Sequence, residues 1–276
     1  MADLHCNVSL HHLFERPLPF RYQDGLSRPG DWQVIDYMCP KCDTAKAELD
    51  PARTVLFISA YMMNHPFGCW THARKQLRKL IPLPFLRDRI VATRAMVGMH
   101  VRTVFDAPRS AETSKHATAQ KAIELATKEY GSETVETLLK HRESCNWRTF
   151  LGKANELVTQ DNSTRFYVAA DTREAYQELI AALPGRVVTS GRWEEDCTDI
   201  RCDARGKGAI VRAFVDMLNV GSTRLILGSK WSSFSVVAAS IAPGAPAGGT
   251  PMLLAPLFVS SRELRCAQVS QTVLKP

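Results

Sequence analysis

From residue 95 onward the chain alternates short apolar runs with longer amphipathic ones. This limits the fold more than any other feature of the sequence. Met96–Val101 ("MVGMHV"), Arg165–Ala170 ("RFYVAA"), Arg186–Thr189 and Arg224–Leu227 ("RLIL") read as strands. Between them, Ala119–Tyr130, Glu133–Arg142, Trp147–Val158, Ala175–Leu183 and Ile210–Val220 repeat apolar residues at three- and four-residue spacing and read as helices. A further helix-like stretch follows Gly228-Ser229 and runs through Ala242. Short buried strands separated by helices imply a parallel sheet covered on both faces, an α/β Rossmann-like domain. The tail after Pro243 is rich in Pro and Gly to Pro251 and carries no firm structural signal. Residues 1–94 differ in character: rich in His, Pro and aromatics, with one apolar strand at Thr54–Tyr61 and a helix at Trp70–Leu80 that Pro82 and Pro84 interrupt. The chain therefore divides into a short, partial N-terminal region, 1–94, and a Rossmann-like domain, 95–276.

The 35 Lys and Arg outnumber the 28 Asp and Glu, and the net charge of +7 suits an anionic partner. Acidic residues are interleaved with the basic ones throughout. The one dense basic block, Arg74–Lys79, reads as a solvated helix face. A phosphate-bearing small molecule fits this pattern better than nucleic acid. No apolar run reaches the roughly 18 residues of a membrane helix. Asp3, His5, Glu15 and Arg16 stand where a signal peptide would carry its apolar core. Among eight cysteines, Cys39 and Cys42 form a single CxxC with no second pair to complete a zinc site. Cys197 and Cys202 bracket a short polar loop and are spaced for a disulfide. Asn7-Val-Ser9 and Asn162-Ser-Thr164 are acceptor triplets for N-glycosylation, which together with the cysteines points to a lumenal protein.

Ligands of open α/β sheets bind beyond the C-terminal ends of the strands. His100 and Arg102 end the first strand of the domain, Asp171 follows the second, and Ser229, Ser232 and Ser233 follow the fourth. Arg205-Gly206-Lys207-Gly208 immediately precedes a helix whose first N–H groups could meet an anion. An arginine fork and a hydroxyl-rich turn at neighbouring strand ends fit a nucleotide diphosphate. Structural roles compete with this reading. His100 and Arg102 could neutralise neighbouring acids, and Asp171-Thr-Arg-Glu174 has the form of a capping box. Asp216 could be a solvated helix residue, the serines N-caps, and Trp231 and Phe234 core.

"VGMHVR", "FYVAAD" and "GAIVRAFVDMLNVGSTRLILGSKWSSFS" resemble, in this order, the donor-binding half of the fucosyltransferase superfamily, over about residues 80–242. The resemblance implies a GT-B-type donor domain facing a second domain across a cleft, GDP-fucose as the donor, no metal or other cofactor, and transfer with inversion to a glycan or protein acceptor. It also implies the lumen of the secretory pathway. By the same resemblance Arg102 holds the β-phosphate and carries catalysis, and His100 lies beside the guanine or ribose. Asp216 contacts the guanine, Ser232, Ser233 and Phe234 form the turn at the diphosphate and base, and Asp171 matches an acidic position after the second strand; Arg205 joins the donor-binding set from its place in the loop before the helix. Two features depart from the family pattern: Thr103 follows the arginine where several members carry a second basic residue, and Gly25–Gly30 does not match the family's glycine-rich first loop. No catalytic base is placed. A nucleotide- or glycan-binding relative without transferase activity, and a GT-B transferase for another sugar nucleotide, are the alternatives.

Overall fold

The computed structural model describes residues 8, 10–15, 33–36, 55–58, 75–103, 123–124, 126–128, 131–191, 194, 206–230, 232–246 and 249–260. Its centre is strand β3, Met96–Val101, in which all six residues are buried. A strand covered on both faces has no use for alternation, which is why "MVGMHV" reads as a continuous apolar run. On one side β3 pairs in parallel with β4, Arg165–Ala170, from Met96 opposite Arg165 to Val101 opposite Ala170. On its other side it pairs in parallel with β6, Leu225–Gly228, with His100 opposite Gly228. β5, Val187–Val188, extends the sheet beyond β4, and β7, Met252–Leu254, extends it beyond β6. β8, Val259–Ser260, closes the edge antiparallel to β7. Counted from β3, the parallel strands lie in the order 3-2-1-4-5, the Rossmann arrangement. A separate two-stranded parallel sheet joins β1, Gln33–Asp36, to β2, Val55–Ile58.

Helices cover both faces of the large sheet. Val97, Met99 and Val101 of β3 and Phe166, Val168 and Ala170 of β4 pack with Phe150 and Ala154 of α3 (Trp147–Gln160) and with Tyr176 and Leu179 of α4 (Arg173–Ala182). α2, Ser132–Ser144, leads into α3 through the buried Cys145. On the opposite face, Tyr167, Ala169 and Ile226 meet Val220 of α5 (Lys207–Gly221) and Ala238 and Ala239 of α6 (Ser233–Ile241). These two helices approach so closely at Gly221 that a Cβ there would run into the Ala238 carbonyl oxygen. α5 has a third layer outside it. Phe14 and Leu86, the latter from α1 (Pro84–Arg87), pack on Phe214, Val215 and Leu218, with the Phe14 and Phe214 rings edge to face at 5.2 Å. Phe14 bridges to Pro82, which ties the segment around residues 10–15 to the one before α1 in this outer layer.

The α/β fold with helices on both faces is as the sequence implies, and the tail is where the two differ. β7 forms at Met252–Leu254, after Pro251, where no structure was expected. At three residues between prolines it shows no period, and its pairing with β6 supplies the order. Of Trp70–Leu80, residues 75–77 are helical; of Ala119–Tyr130, residues 123–124 and 126–128 are. Residues 78–80 leave the first helix as a turn, and residues 70–74, 119–122, 125 and 129–130 lie outside the described residues.

The cap of α4 also differs. Thr172, one residue later than the acid of the expected capping box, accepts a hydrogen bond from the Ala175 N–H at 3.2 Å. Glu174 instead accepts from the Trp147 indole N–H at 3.0 Å. Thr172→Ala is expected to cost about 1 kcal/mol in urea unfolding. A loss below about 0.3 kcal/mol would remove the capping role from Thr172.

Candidate functional site

The chain runs outward from β3 through β4 to β5, then returns to the other side of β3 as β6. The sheet therefore changes direction between β3 and β6, and ligands of such sheets bind in the crevice beyond that point. There the strand ends are tied by side chains. The fully buried Ser229 donates to the His100 carbonyl from its backbone N–H (3.1 Å) and from Oγ (2.9 Å), and Oγ accepts from the Arg102 N–H at 2.8 Å. Asp171, just past β4, donates its N–H to the Val101 carbonyl. Its carboxylate accepts from the Thr103 N–H, at 3.1 Å and 2.9 Å to its two oxygens, and from Thr103 Oγ1 at 3.0 Å. The same carboxylate lies 3.7 Å from Arg102 Nε. Asp171 thus braces the backbone after β3 and sets the guanidinium, while the Arg102 side chain keeps 22% of its surface in solvent.

His100 is 6% exposed. Its Nδ1 is 2.8 Å from Ser235 Oγ and its ring stacks on Phe234 at 4.3 Å and 15°. Ser232 occupies the N-cap position of α6 with no capping hydrogen bond from its side chain, and Ser233, the first helical residue, is exposed. The first N–H groups of α6 lie in the segment that leaves β6 beside Arg102, and a helix start favours negative charge. The surroundings are cationic. Burial, then Lys230 and Arg142, hold the His141 pKa below its ordinary value, so His141 is neutral at pH 7.

Of the expected donor-binding residues, the structure brings His100, Arg102, Asp171, Ser232, Ser233 and Phe234 to this edge. Asp216 sits elsewhere, inside the layer between α5 and the sheet, fully buried and accepting from the Tyr167 hydroxyl at 2.7 Å. Burial, then the Asp216 carboxylate, push the Tyr167 phenol well above its ordinary pKa, so it remains the donor. Arg205, Trp231, Asn7, Cys39, Cys42, Cys197 and Cys202 lie outside the described residues. Asn162 is exposed in the turn before β4 and accepts from Arg186 at 2.7 Å. Among the described residues no cluster of His, Cys, Asp or Glu could hold a metal ion, and no helix is long and apolar enough to cross a membrane.

Sequence reasoning noted Thr103 only as a departure from the family pattern and did not single out Ser235, Tyr167 or Asn219. The polar triad "SFS" was visible, but which serine faced His100 depended on the start of α6. The buried Asn219 accepts from the Val91 and Ala92 N–H groups at 2.8 and 2.9 Å, and its amide donates to the Val215 and Arg89 carbonyls at 2.9 and 3.3 Å. It fastens the segment entering β3 to α5.

No family model matches the chain, and no curated protein sequence does. Solved structures do. POFUT1 in complex with GDP is 15% identical, with a TM-score of 0.41, covering 72% of this chain and 55% of its own. NodZ α-1,6-fucosyltransferase soaked with GDP-fucose is 13% identical, with a TM-score of 0.41, covering 75% and 56%. Fucosyltransferase NodZ from Bradyrhizobium is 12% identical, with a TM-score of 0.41, covering 78% and 58%. The chain thus spans a little over half the length of these solved structures.

Proposed function

We propose that the crevice between β3 and β6 binds the diphosphate of GDP-fucose and that the chain contributes the donor half of an inverting fucosyltransferase acting on a glycan or protein hydroxyl. The observation that supports this is the placement of Arg102. It follows the central strand at the switch point, is braced by Asp171 at 3.7 Å, and stands two residues after His100, whose ring meets Phe234 and Ser235 of α6. In the proposed reaction the acceptor oxygen bonds to the anomeric carbon as the bond from that carbon to the β-phosphate oxygen breaks. GDP leaves with the electron pair, the acceptor proton passes to solvent, and the configuration inverts. Arg102 and the first N–H groups of α6 stabilise the negative charge that grows on the β-phosphate. Phe234, held against His100, offers a flat face to the base or ribose. No cofactor enters this scheme. A lumenal setting belongs to the same proposal, supported by the exposed Asn162 of its acceptor triplet.

The inward position of Asp216, on Tyr167, favours a competing reading in which the base is not guanine. The chain is incubated with GDP-fucose, UDP-sugars and a panel of glycan and peptide acceptors, and GDP or UDP release is followed with product anomeric NMR. GDP release matched by an inverted fucosyl product is expected. UDP release in its place supports the competing donor. An intact donor in the presence of demonstrated nucleotide binding overturns transferase activity and leaves a binding protein.

A further inference from the structure

A second cavity, of about 590 Å³, lies behind α5, away from the crevice. Three segments form it: the 3-10 turn Leu10–His12, residues 83–89, and the first two turns of α5. Of the nine lining residues five are basic and none is acidic. His11 and His12 come from the turn, Arg89 from beyond α1, and Lys207 and Arg212 from α5. Among the described residues, the acids nearest in sequence lie outside the lining: Glu15 is paired with Arg87 at 2.7 Å, and Asp88 is exposed. Leu83, Phe85 and Val211 give the cavity an apolar wall, and Phe85 is 47% exposed. The Arg212 guanidinium folds over Gly208, 3.3 Å from where a Cβ would stand, so an added methyl there would push it slightly outward.

The walls are held in place by packing. Phe14 bridges Pro82, the Leu83 N–H donates to the Leu13 carbonyl at 2.9 Å, and Phe14 lies on Phe214. α5 precedes β6, so it runs antiparallel to the strands and its first turn reaches the same edge of the sheet as the crevice. Its sheet-facing side carries Asp216 and its outer side Val211, Val215 and Leu218, so the body of the helix separates the two places.

We infer that this cavity is a second ligand site, for a small amphipathic anion in which a phosphate group is joined to a flat or aliphatic apolar body. Three permanent cations beside an apolar wall fit that combination. A neutral apolar molecule would match only the wall, and inorganic phosphate only the cations. The volume lies within the range of small-molecule sites. Nucleoside phosphates and prenyl diphosphates share this chemistry. The site does not rest on the donor proposal, and its test leaves the crevice intact.

The test is calorimetric titration of the whole chain with 4-methylumbelliferyl phosphate, with 4-methylumbelliferone and inorganic phosphate as single-feature controls. GMP and geranyl diphosphate then serve as competitors. Binding of the aryl phosphate with Kd of about 1 mM or tighter is expected, and each control alone binds at least tenfold more weakly, about what one charged hydrogen bond contributes. K207A and R212A each weaken it at least about tenfold, and F85A weakens it several-fold. R102A leaves it unchanged. All four positions are exposed or partly so, and circular dichroism confirms that each variant folds. Displacement by GMP or by geranyl diphosphate identifies the source of the apolar body. Absence of binding at 10 mM, or binding lost in R102A and kept in K207A and R212A, overturns the site.

Discussion

Arg102→Ala is expected to lower fucosyl transfer by about 10²–10³, the loss seen when a preorganised donor to a developing oxyanion is removed. Its effect on stability is expected to stay within about 1 kcal/mol, because the Arg102 side chain is part-exposed and its contact with Asp171 is long, at 3.7 Å. The strand end does not depend on the guanidinium. Ser229 still holds the backbone N–H of residue 102, and Thr103 still satisfies Asp171. Chemistry and folding are therefore separable at this position. Arg102→Lys keeps the charge and loses the planar fork, so it should recover part of the rate and little of the geometry-dependent binding. Single-turnover rates and urea melts of the three proteins give both quantities. A variant that turns over at the wild-type rate would assign Arg102 to structure alone.

Asn219→Ala is expected to cost about 2–5 kcal/mol, the largest single loss foreseen for this fold. The side chain satisfies two backbone N–H groups of the segment entering β3 and two backbone carbonyls. Each buried group left without its partner costs about 1–3 kcal/mol. Asn219→Asp separates the two halves of this network. Its carboxylate still accepts from Val91 and Ala92 and cannot donate to the Val215 carbonyl, so it should fall between wild type and alanine. The site feels the change as well, since β3 begins five residues after Val91 and ends one residue before Arg102. A loss under about 1 kcal/mol for the alanine variant, measured by urea unfolding, would mean that water replaces the side chain.

What could be read from the sequence follows from how each residue is covered. β3 and β4 are buried on both faces, so their apolar runs are unbroken and their ends carry the polar residues of the site. β7 has three residues and takes its conformation from β6, which no local pattern announces. Asp216 shows a different limit. Its helical angle does place it opposite Phe214, as the sequence indicates, and on a one-sided helix that would mean solvent. α5 is covered on both sides: Phe214 faces the Phe14 layer and Asp216 faces Tyr167 of the sheet. The missing information was the third layer, contributed by residues far away in the chain. Asp171 shows the same point on a smaller scale. Thr172 takes the local cap, and Asp171 turns to a strand end 68 residues earlier.

In the proposed donor site Arg102 meets a guanine nucleotide at the switch point. Thermal melts of wild type and Arg102→Ala with GDP-fucose, GDP, UDP and ADP test it most directly. At ligand near 100 Kd, binding stabilises the folded state by about 2.7 kcal/mol, a shift of several degrees. GDP and GDP-fucose should shift the wild type, UDP and ADP should not, and the variant should lose the shift. Equal shifts from all three bases would contradict the guanine donor. No shift, or one indifferent to Arg102, would contradict the site itself.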